Sequence, residues 1–242
     1  MTLLEIEGLT KRFGGLTAVD DLSFAVDEGE IVGLIGPNGS GKTTVFNCIM
    51  GVHGVTDGTV RFDGTDVTDH KTHEVVNAGI ARVSQESNPI DLYPVGGNIK
   101  LFTLPNSIFS FRGGAEDMEI VWYASRVGLE DRIWDYPDEL PHADVRRLEI
   151  AKALATEPDL LLLDEPFAGM NRQEIGELSE QIEGFREDGM TLIVVDHNMS
   201  GLMQLVDRTV VLHNGEKLAE GVPEAIVENE DVQRAYLAGE GI

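Results

Sequence analysis

Apolar and polar positions along the chain change period several times, and these changes outline the predicted elements. Residues 3–28 contain short alternating apolar runs interrupted by Gly14-Gly15 and Asp20-Asp21, which predicts antiparallel strands. A later dipeptide, Asn214-Gly215, is typical of tight hairpin turns. Further strands are predicted at 31–35, 59–62, 80–83, 160–163, 191–195, 209–212 and 217–219.

Apolar residues at helical spacing separate several of these strands. The segment 145–155 carries apolar residues at positions 145, 148, 151 and 154, which form a stripe along one side of a helix. Strands that alternate with helices predict an α/β fold with a mostly parallel sheet, next to the antiparallel β subdomain at the start of the chain. Helices are predicted at 43–50, 118–127, 145–155, 173–186 and 199–205, with two short helices in 223–237.

The character of the sequence changes between residues 86 and 141. Pro89, Pro94 and Pro105, together with two Gly-Gly pairs, predict loops before the helix at 118–127. This block is interpreted as part of an inserted, mainly helical subdomain. No internal repeat or low-complexity linker interrupts the chain, so a single domain is predicted. The predicted boundaries are 86–155 for the inserted subdomain and 1–85 with 156–242 for the core, within one domain of 1–242.

One motif between a predicted strand and a predicted helix indicates phosphate binding. Residues 36–44 have the sequence Gly-Pro-Asn-Gly-Ser-Gly-Lys-Thr-Thr, a complete phosphate loop. Glycines let the backbone N–H groups approach phosphates, a solvent-facing Lys42 supplies a point charge, and the Thr43 hydroxyl is a candidate Mg²⁺ ligand. The motif predicts a nucleoside triphosphate site. Its candidate residues are Gly36, Asn38, Gly39, Ser40, Gly41, Lys42, Thr43 and Thr44.

A pair of carboxylates gives the candidate chemistry. Asp164 and Glu165 follow four consecutive leucines, at the end of a predicted buried strand. Asp164 is placed where a direct or indirect magnesium ligand is expected, and Glu165 can orient or deprotonate an attacking water. The alternative is that two acidic residues simply mark the end of a strand. The phosphate loop upstream favours the interpretation as a site of hydrolysis.

Composition and charge restrict the partners. The 242 residues carry 43 acidic and 18 basic side chains, a net charge of -25, so nucleic acid is excluded as the main partner. No apolar run is long enough for a membrane span, and the first residues do not resemble a secretory signal. Cys48, the single cysteine, excludes an internal disulfide and is predicted to be buried. The acidity fits either a high-salt cytoplasm or an ordinary acidic surface.

In this order, the motifs resemble the ATP-binding-cassette (ABC) ATPases over nearly the whole chain. The resemblance implies that Phe13 stacks on adenine and that Val19 lines the other side of the base. It implies that Gln85 connects Mg²⁺ and water to the helical subdomain, and that His197 contacts the γ-phosphate. Residues 168–171, Ala-Gly-Met-Asn, match the loop that crosses to a partner subunit. ATP and Mg²⁺ are the implied ligands.

A narrower resemblance concerns the ATPases of branched-chain amino-acid importers and of their amide and urea relatives. It rests on residues 11–19, 79–83, 165–171 and 235–237. The resemblance implies membrane permease subunits and a second ATPase subunit as partners, with a solute-binding protein acting indirectly. It also implies a peripheral position on the cytoplasmic face of the cell membrane. The solute itself is bound by other subunits, so this sequence does not identify it.

One motif departs from the family. Residues 140–144 are Leu-Pro-His-Ala-Asp, where the family signature is Leu-Ser-Gly-Gly-Gln. Pro141 offers neither a hydroxyl nor an N–H, His142 and Ala143 add side chains where a close approach needs none, and Asp144 adds a negative charge near a polyphosphate. An asymmetric heterodimer with a second ATPase subunit is therefore predicted, and a homodimer is the alternative. The alternative is that a protonated His142 donates in place of the missing serine.

Two other classes remain as alternatives to a transport subunit. A regulatory or chromosome-maintenance ATPase has a similar core, but the chromosome-associated proteins carry long coiled-coil insertions, and residues 85–140 leave no room for one. A nucleotide-binding pseudo-enzyme conflicts with the presence of Lys42, Asp164, Glu165 and His197. The sequence analysis therefore predicts an ATP-hydrolysing subunit that energises a membrane importer.

Overall fold

Two β-sheets form the frame of the computed structural model, which describes residues 1–103 and 116–239. The first sheet is antiparallel and has the strand order β2-β1-β4-β5. The second has the order β10-β9-β3-β8-β7-β6, parallel from β9 to β6 with an antiparallel edge strand β10. The strands are β1 Thr2–Phe13, β2 Leu16–Asp27, β3 Ile31–Ile35, β4 Asp57–Phe62, β5 Thr65–Asp66, β6 Ile80–Val83, β7 Leu160–Asp164, β8 Thr191–Val195, β9 Arg208–His213 and β10 Glu216–Gly221.

Helices cover the second sheet and form a cluster beside it. Within the described residues, α3, α4 and α5 contact one another, so the predicted helical block has a packed interior. Two short 3₁₀ turns, Glu130–Arg132 and Pro137–Glu139, lead from α4 to α5. The helices are α1 Lys42–Ile49, α2 Thr72–Asn77, α3 Val95–Thr103, α4 Glu116–Arg126, α5 His142–Leu154, α6 Arg172–Glu187, α7 Met199–Leu205, α8 Pro223–Val227 and α9 Glu230–Gly239.

Alternating residues of the central strands belong to two different cores. In β7, Leu161 and Leu163 pack into a core that includes α3 to α6, whereas Leu160 and Leu162 pack into a core that includes β1, β2 and α1. Both faces are therefore buried, which is why β7 is apolar at successive positions rather than at every second one. The arrangement confirms the predicted α/β fold. The polar residues Asp164 and Glu165 lie at the C-terminal end of β7.

The expectation of loops across the start of the helical block was wrong for α3. This helix begins directly after Pro94 and contains Gly96 and Gly97, the residues from which a loop was inferred. A Cβ on Gly96 would lie 3.2 Å from the carbonyl oxygen of Ile133, and one on Gly97 would lie 3.1 Å from the Cβ of Tyr93. These glycines permit close packing rather than a turn. Pro105 and the second Gly-Gly pair lie outside the described residues.

Two other helices differ from the prediction. Helix α2 was not predicted; the Glu74 carboxylate caps its start by accepting a 2.8 Å hydrogen bond from the Lys71 N–H. Helix α5 begins at His142 rather than at residue 145, because the residues of the altered motif form its first turn. No helix among the described residues is both long and apolar enough to cross a bilayer.

The hairpin prediction at Asn214-Gly215 is confirmed. Both residues have positive φ angles, 51° and 86°, as a two-residue turn with this twist requires. The turn also reaches the phosphate loop: the N–H of Gly215 donates a 3.0 Å hydrogen bond to the carbonyl of Ser40, and Asp20 donates one of 2.9 Å to the carbonyl of Gly215. The predicted burial of Cys48 is also confirmed.

Candidate active site

The phosphate loop connects the end of β3 to the beginning of α1. Gly36 and Gly41 have φ angles of 150° and 109°, which L side chains rarely adopt. A Cβ on Gly36 would lie 2.1 Å from the carbonyl oxygen of Leu212, and one on Gly41 would lie 2.6 Å from that of Ala18. Both sites therefore require glycine, because neighbouring backbone leaves no space for a side chain.

Lys42 lies inside this loop. The sequence predicted that it faces solvent, and the structure differs on this point. Its side chain is 8% exposed, and its ammonium group donates hydrogen bonds of 2.7 Å to the Gly36 carbonyl and 3.1 Å to the Pro37 carbonyl. Burial lowers the pKa of Lys42, while the charges of Glu165 and Asp164 act in the opposite direction. The charge is thus held at the centre of the loop, where phosphates would approach.

A cleft of about 550 Å³ opens over the loop. Most of the predicted site residues form its wall, together with five residues that were not selected from the sequence: Leu16, Thr17, Ala18, Val195 and Asn214. Predicted site residues in the wall are Phe13, Asn38, Gly39, Gly41, Lys42, Thr43, Thr44, Glu165 and His197. Predicted site residues outside the wall are Val19, Gly36, Ser40, Gln85 and Asp164.

Phe13 and Val19 occupy different positions relative to the cleft. Phe13 is 42% exposed; the Lys11 ammonium lies 4.8 Å from its ring centroid, and the His53 ring meets it edge-on at 5.2 Å. Val19 is fully buried, and a Cβ on Gly41 would lie 3.3 Å from its Cγ2. Val19 therefore packs behind the phosphate loop, and Leu16 to Ala18 provide the nearby wall.

Three predicted catalytic side chains meet at the end of β7. One carboxylate oxygen of Glu165 accepts a 2.7 Å hydrogen bond from the Gln85 amide, and the other lies 3.0 Å from Nε2 of His197. Glu165 has a φ of 52°, unusual for a residue other than glycine, and its N–H donates to the Val195 carbonyl at 2.7 Å. This left-handed turn directs the chain away from the sheet immediately after the strand.

Asp164, the neighbouring carboxylate, has a partner that the sequence analysis missed. Arg82 on β6 pairs with it at 2.6 Å and donates a second hydrogen bond, of 2.7 Å, to the side-chain amide oxygen of Asn47. The signal was present in the sequence, because Arg82 is the charged residue of an otherwise apolar strand. An ion pair between adjacent buried strands fixes the orientation of the Asp164 carboxylate.

The donor groups fit Mg²⁺ that arrives with a nucleotide. Within residues 1–103 and 116–239, no group of three or more His, Cys, Asp or Glu side chains could hold a metal by itself. Asp164, Thr43 and Gln85 instead supply carboxylate, hydroxyl and amide oxygens. Mg²⁺ prefers such hard ligands and is usually bound by one or two carboxylates together with substrate phosphates.

The altered motif has its charge neutralised within the chain. One oxygen of Asp144 lies 3.2 Å from the Arg147 guanidinium, the other lies 3.4 Å from Nε of Arg132, and Arg147 also pairs with Glu177 at 2.7 Å. Asp144 is therefore buried and paired with two arginines, which offset the negative charge that was expected near a polyphosphate. His142 is exposed and its ring packs near Gly169, whose added Cβ would lie 3.2 Å from Cε1.

A residue of α9 also reaches the phosphate loop. The Tyr236 hydroxyl lies against the backbone of Gly36 and 3.8 Å from the sulfur of Met199. Burial raises the pKa of Tyr236 to about 12, so the hydroxyl stays protonated at neutral pH. The sequence analysis used this tyrosine only as part of a family resemblance.

These features define a class of protein. A glycine-dependent phosphate loop and a strand-terminal Asp-Glu pair, carried by a parallel sheet, are the apparatus of a P-loop nucleotide hydrolase. The sequence profile described as ABC transporter matches residues 19–168, and a second profile, described as branched-chain amino acid ATP-binding cassette transporter, matches residues 216–237. The chain therefore belongs to the ABC transporter family and is an ATPase of that family.

Transport ATPases with similar sequences match nearly the whole chain. The high-affinity branched-chain amino acid transport ATP-binding protein BraF of Pseudomonas aeruginosa is 35% identical, over 97% of each chain. The corresponding protein LivG of Escherichia coli strain K12 is 37% identical, again over 97% of each. A probable LivG of Archaeoglobus fulgidus is 33% identical, over 99% of this chain and 97% of its own.

Solved structures agree on the fold. An ATP-binding cassette of an ABC transporter superimposes with a TM-score of 0.89 at 24% identity, covering 97% of this chain and 98% of its own. A dimeric cassette in a post-hydrolysis state, bound to ADP and phosphate, has a TM-score of 0.82 at 26% identity, over 91% and 99%. The ABC ATPase fold predicted from the sequence is therefore confirmed.

Proposed function

We propose that this chain energises the import of branched-chain amino acids or of a related small solute such as an amide or urea. The observation that carries the proposal is the match of residues 216–237 to the branched-chain transporter profile. The transport proteins BraF and LivG, which are similar over 97% of the chain, support it.

Within this function, ATP occupies the cleft with its phosphates at the loop. Lys42 faces the phosphates and Phe13 offers its exposed ring to the base. Thr43, Asp164 and Gln85 would hold Mg²⁺, which would neutralise charge on the phosphates. Glu165 is the general base that takes the proton from the attacking water. The Gln85 amide donates a hydrogen bond to one of its oxygens, and Nε2 of His197 lies 3.0 Å from the other, so the carboxylate presents one orientation to that water.

The second element of the proposal is asymmetry. Two ABC subunits meet head to tail, so the motif at 140–144 faces the nucleotide of the partner. Pro141 lacks the hydroxyl and N–H donors that a phosphate needs, which supports a heterodimer with a second ATPase whose motif is intact. The competent site then combines this chain's Lys42, Glu165 and His197 with the partner's motif. The opposite site mainly holds ATP.

The membrane partners follow from the same proposal. Residues 86–155 form the helical subdomain, and the segment after Gln85 provides the coupling surface for two permease subunits. The chain is peripheral on the cytoplasmic face of the membrane, and a solute-binding protein delivers the solute to the permeases rather than to this chain. Nucleic acid is not a partner, because a net charge of -25 disfavours phosphate backbones.

The test is reconstitution of the chain with the proteins that co-purify with it. Tagged chain should recover integral membrane proteins and a second ATPase from its native membranes. In proteoliposomes, this complex should take up labelled leucine or labelled urea when ATP is supplied on the ATPase side. Glu165→Gln should lower that uptake about 10²-fold or more, since ATP still binds but its hydrolysis loses the general base. Recovery of a complex without membrane proteins would favour the regulatory alternative, and a membrane complex that transports neither solute would overturn the solute class.

A further inference from the structure

Helix α5 carries a buried arginine, Arg146, that contacts the segment containing Gln85. Arg146 is 2% exposed and is the largest of the fully buried side chains. Its two terminal nitrogens donate hydrogen bonds of 2.5 Å to the carbonyl oxygens of Ser84 and Gln85. A planar guanidinium fork can grip two successive carbonyls in this way, whereas a single ammonium cannot hold the same geometry.

This grip lies in a continuous series of contacts that ends at the carboxylate. The backbone of Gln85 is held by Arg146, and the side chain of Gln85 donates its 2.7 Å hydrogen bond to Glu165. The same helix begins in the altered motif and places Arg146 just beyond it. A shift or rotation of α5 would therefore move the backbone of residue 85, and with it the amide that orients Glu165.

Stability alone gives no good reason for a guanidinium at this position. Burial lowers the pKa of Arg146, nearby acidic residues offset this only in part, and none of them forms an ion pair with it among the described contacts. Its Nε has no hydrogen-bond partner in the part of the chain that the structure describes. Burying a cation against neutral carbonyls is usually less stable than burying an apolar side chain of similar volume. A functional reason is therefore expected.

We propose that Arg146 is a positioning residue of the ATPase site. Its guanidinium holds the Ser84–Gln85 backbone so that the Gln85 amide stays in contact with Glu165, and it ties this contact to the position of α5. The inference rests on the proposed roles of Gln85 and Glu165. Helix α5 would then act on this chain's own ATPase site through Arg146. This role does not depend on phosphate donors at 141–143.

The test is a double-mutant cycle measured in the complex with the native membrane partners. Arg146→Met removes the fork and keeps the length of the side chain, and Arg146→Lys keeps the charge. Each is made in the wild-type chain and in Gln85→Ala. Lys152→Met is the matched control, because Lys152 is a buried cation of the same helix that pairs with Glu149 and donates to the Asn88 carbonyl at 3.3 Å, but does not contact Ser84 or Gln85. The readouts are kcat, KM for ATP and Tm.

Arg146→Met should lower kcat about 10-fold with KM changed less than about 2-fold, because misplacing a catalytic group by about 1 Å can cost up to about 10²-fold. Arg146→Lys should recover part of the rate. In the Gln85→Ala background, Arg146→Met should have no further effect on kcat. Lys152→Met should lower Tm and leave kcat unchanged. An equal loss of kcat in both backgrounds, or a loss of Tm alone, would overturn the proposal.

A second measurement needs no partner and separates this inference from the proposed function. In the isolated chain, Arg146→Met and Arg146→Lys should speed amide hydrogen exchange at residues 84–86, whereas Lys152→Met, which frees the Asn88 carbonyl, should not speed it there. Unchanged exchange in the folded Arg146 variants would contradict the grip on this backbone. If exchange rises as expected while Gln85→Ala and Glu165→Gln turn over at the wild-type rate, the proposed catalytic roles fail and the grip remains.

Discussion

The phosphate loop and the motif at 140–144 respond differently to a change of sequence. The loop depends on backbone that no other residue type can supply: Gly36 and Gly41 face carbonyls at distances that exclude a Cβ. The motif at 140–144 begins a helix even though four of its five residues depart from the family pattern, because the first N–H groups of a helix need no intrahelical partner. Helix geometry thus survives where the signature residues of the family are absent.

Asp144 adds to this contrast. Its pairing with Arg132 and Arg147 provides local contacts of its own, so the replaced residue is integrated into the fold. A motif can therefore lose its ligand donors and still hold its helix in place. Conversely, a phosphate loop that lost Gly36 or Gly41 would be distorted before any nucleotide bound. The two regions show that a motif's fold and its chemistry are separable where the fold itself does not require glycine.

The largest effect is expected from the carboxylate beside the phosphate loop. Glu165→Gln keeps size and polarity but removes the proton acceptor, so ATP turnover should fall about 10²-fold or more, the scale of a lost general base. Steady-state hydrolysis by the partnered complex measures the change, and ATP affinity should remain near the wild-type value. Wild-type turnover by this variant would mean that another group takes the proton.

A smaller effect is expected from the cation inside the loop. Lys42→Ala should weaken ATP binding about 10- to 150-fold, because a charge-assisted hydrogen bond contributes roughly 1.5–3 kcal/mol. Titration with a fluorescent ATP analogue gives Kd. Since Lys42 also bonds the Gly36 and Pro37 carbonyls, circular dichroism and Tm must show that the variant is folded. A folded variant with unchanged Kd would remove Lys42 from the site.

The smallest effect is expected from restoring the family motif at 141–143, which tests the contrast between this motif and the phosphate loop. Restoring Ser-Gly-Gly at 141–143 should raise the ATPase rate of the isolated chain about 10-fold. One preorganised donor can contribute roughly 10²–10³-fold. The expected gain is smaller because two glycines weaken the first turn of α5. A second variant also changes Asp144→Gln. Because Asp144 is paired, the two variants should have similar rates.

The comparison needs one further control. The unmodified chain is assayed across a range of protein concentrations, since paired sites make the rate depend on dimer formation. Brisk, cooperative turnover by the unmodified chain alone would show that Leu-Pro-His-Ala-Asp is a working motif and that the proposed asymmetry is wrong. It would also favour the alternative in which a protonated His142 donates to the phosphate.

Much of the fold was predictable because buried strands and glycine-dependent turns leave strong local patterns. The run 160–163 and the turn at Asn214-Gly215 are examples, since each pattern has one structural explanation. Helix α3 was missed because Gly96 and Gly97 look the same in a sequence whether they make a turn or a close contact. The subdomain boundaries at 86 and 155 stay predictions.

The candidate site was predictable in its residues more than in its contacts. The motifs selected Glu165, Gln85 and His197, and the structure brings these three together. They did not reveal Arg82 or Arg146, because the partner of a buried cation depends on which strands and helices become neighbours. Val19 was predicted to line the nucleotide cleft, but it packs behind the phosphate loop. The sequence does not show which way this side chain points, and that direction decides between the two positions.

The contacts of the phosphate loop with β9 and the following turn have a consequence for how the protein is made. Leu212 lies against Gly36, and Gly215 donates to the carbonyl of Ser40, although these residues are far apart along the chain. During synthesis, the loop leaves the ribosome early but cannot take up this conformation until β9 has emerged and docked beside β3. Contacts between residues so far apart in the sequence slow folding. A nascent chain therefore does not bind ATP before its sheet is nearly complete.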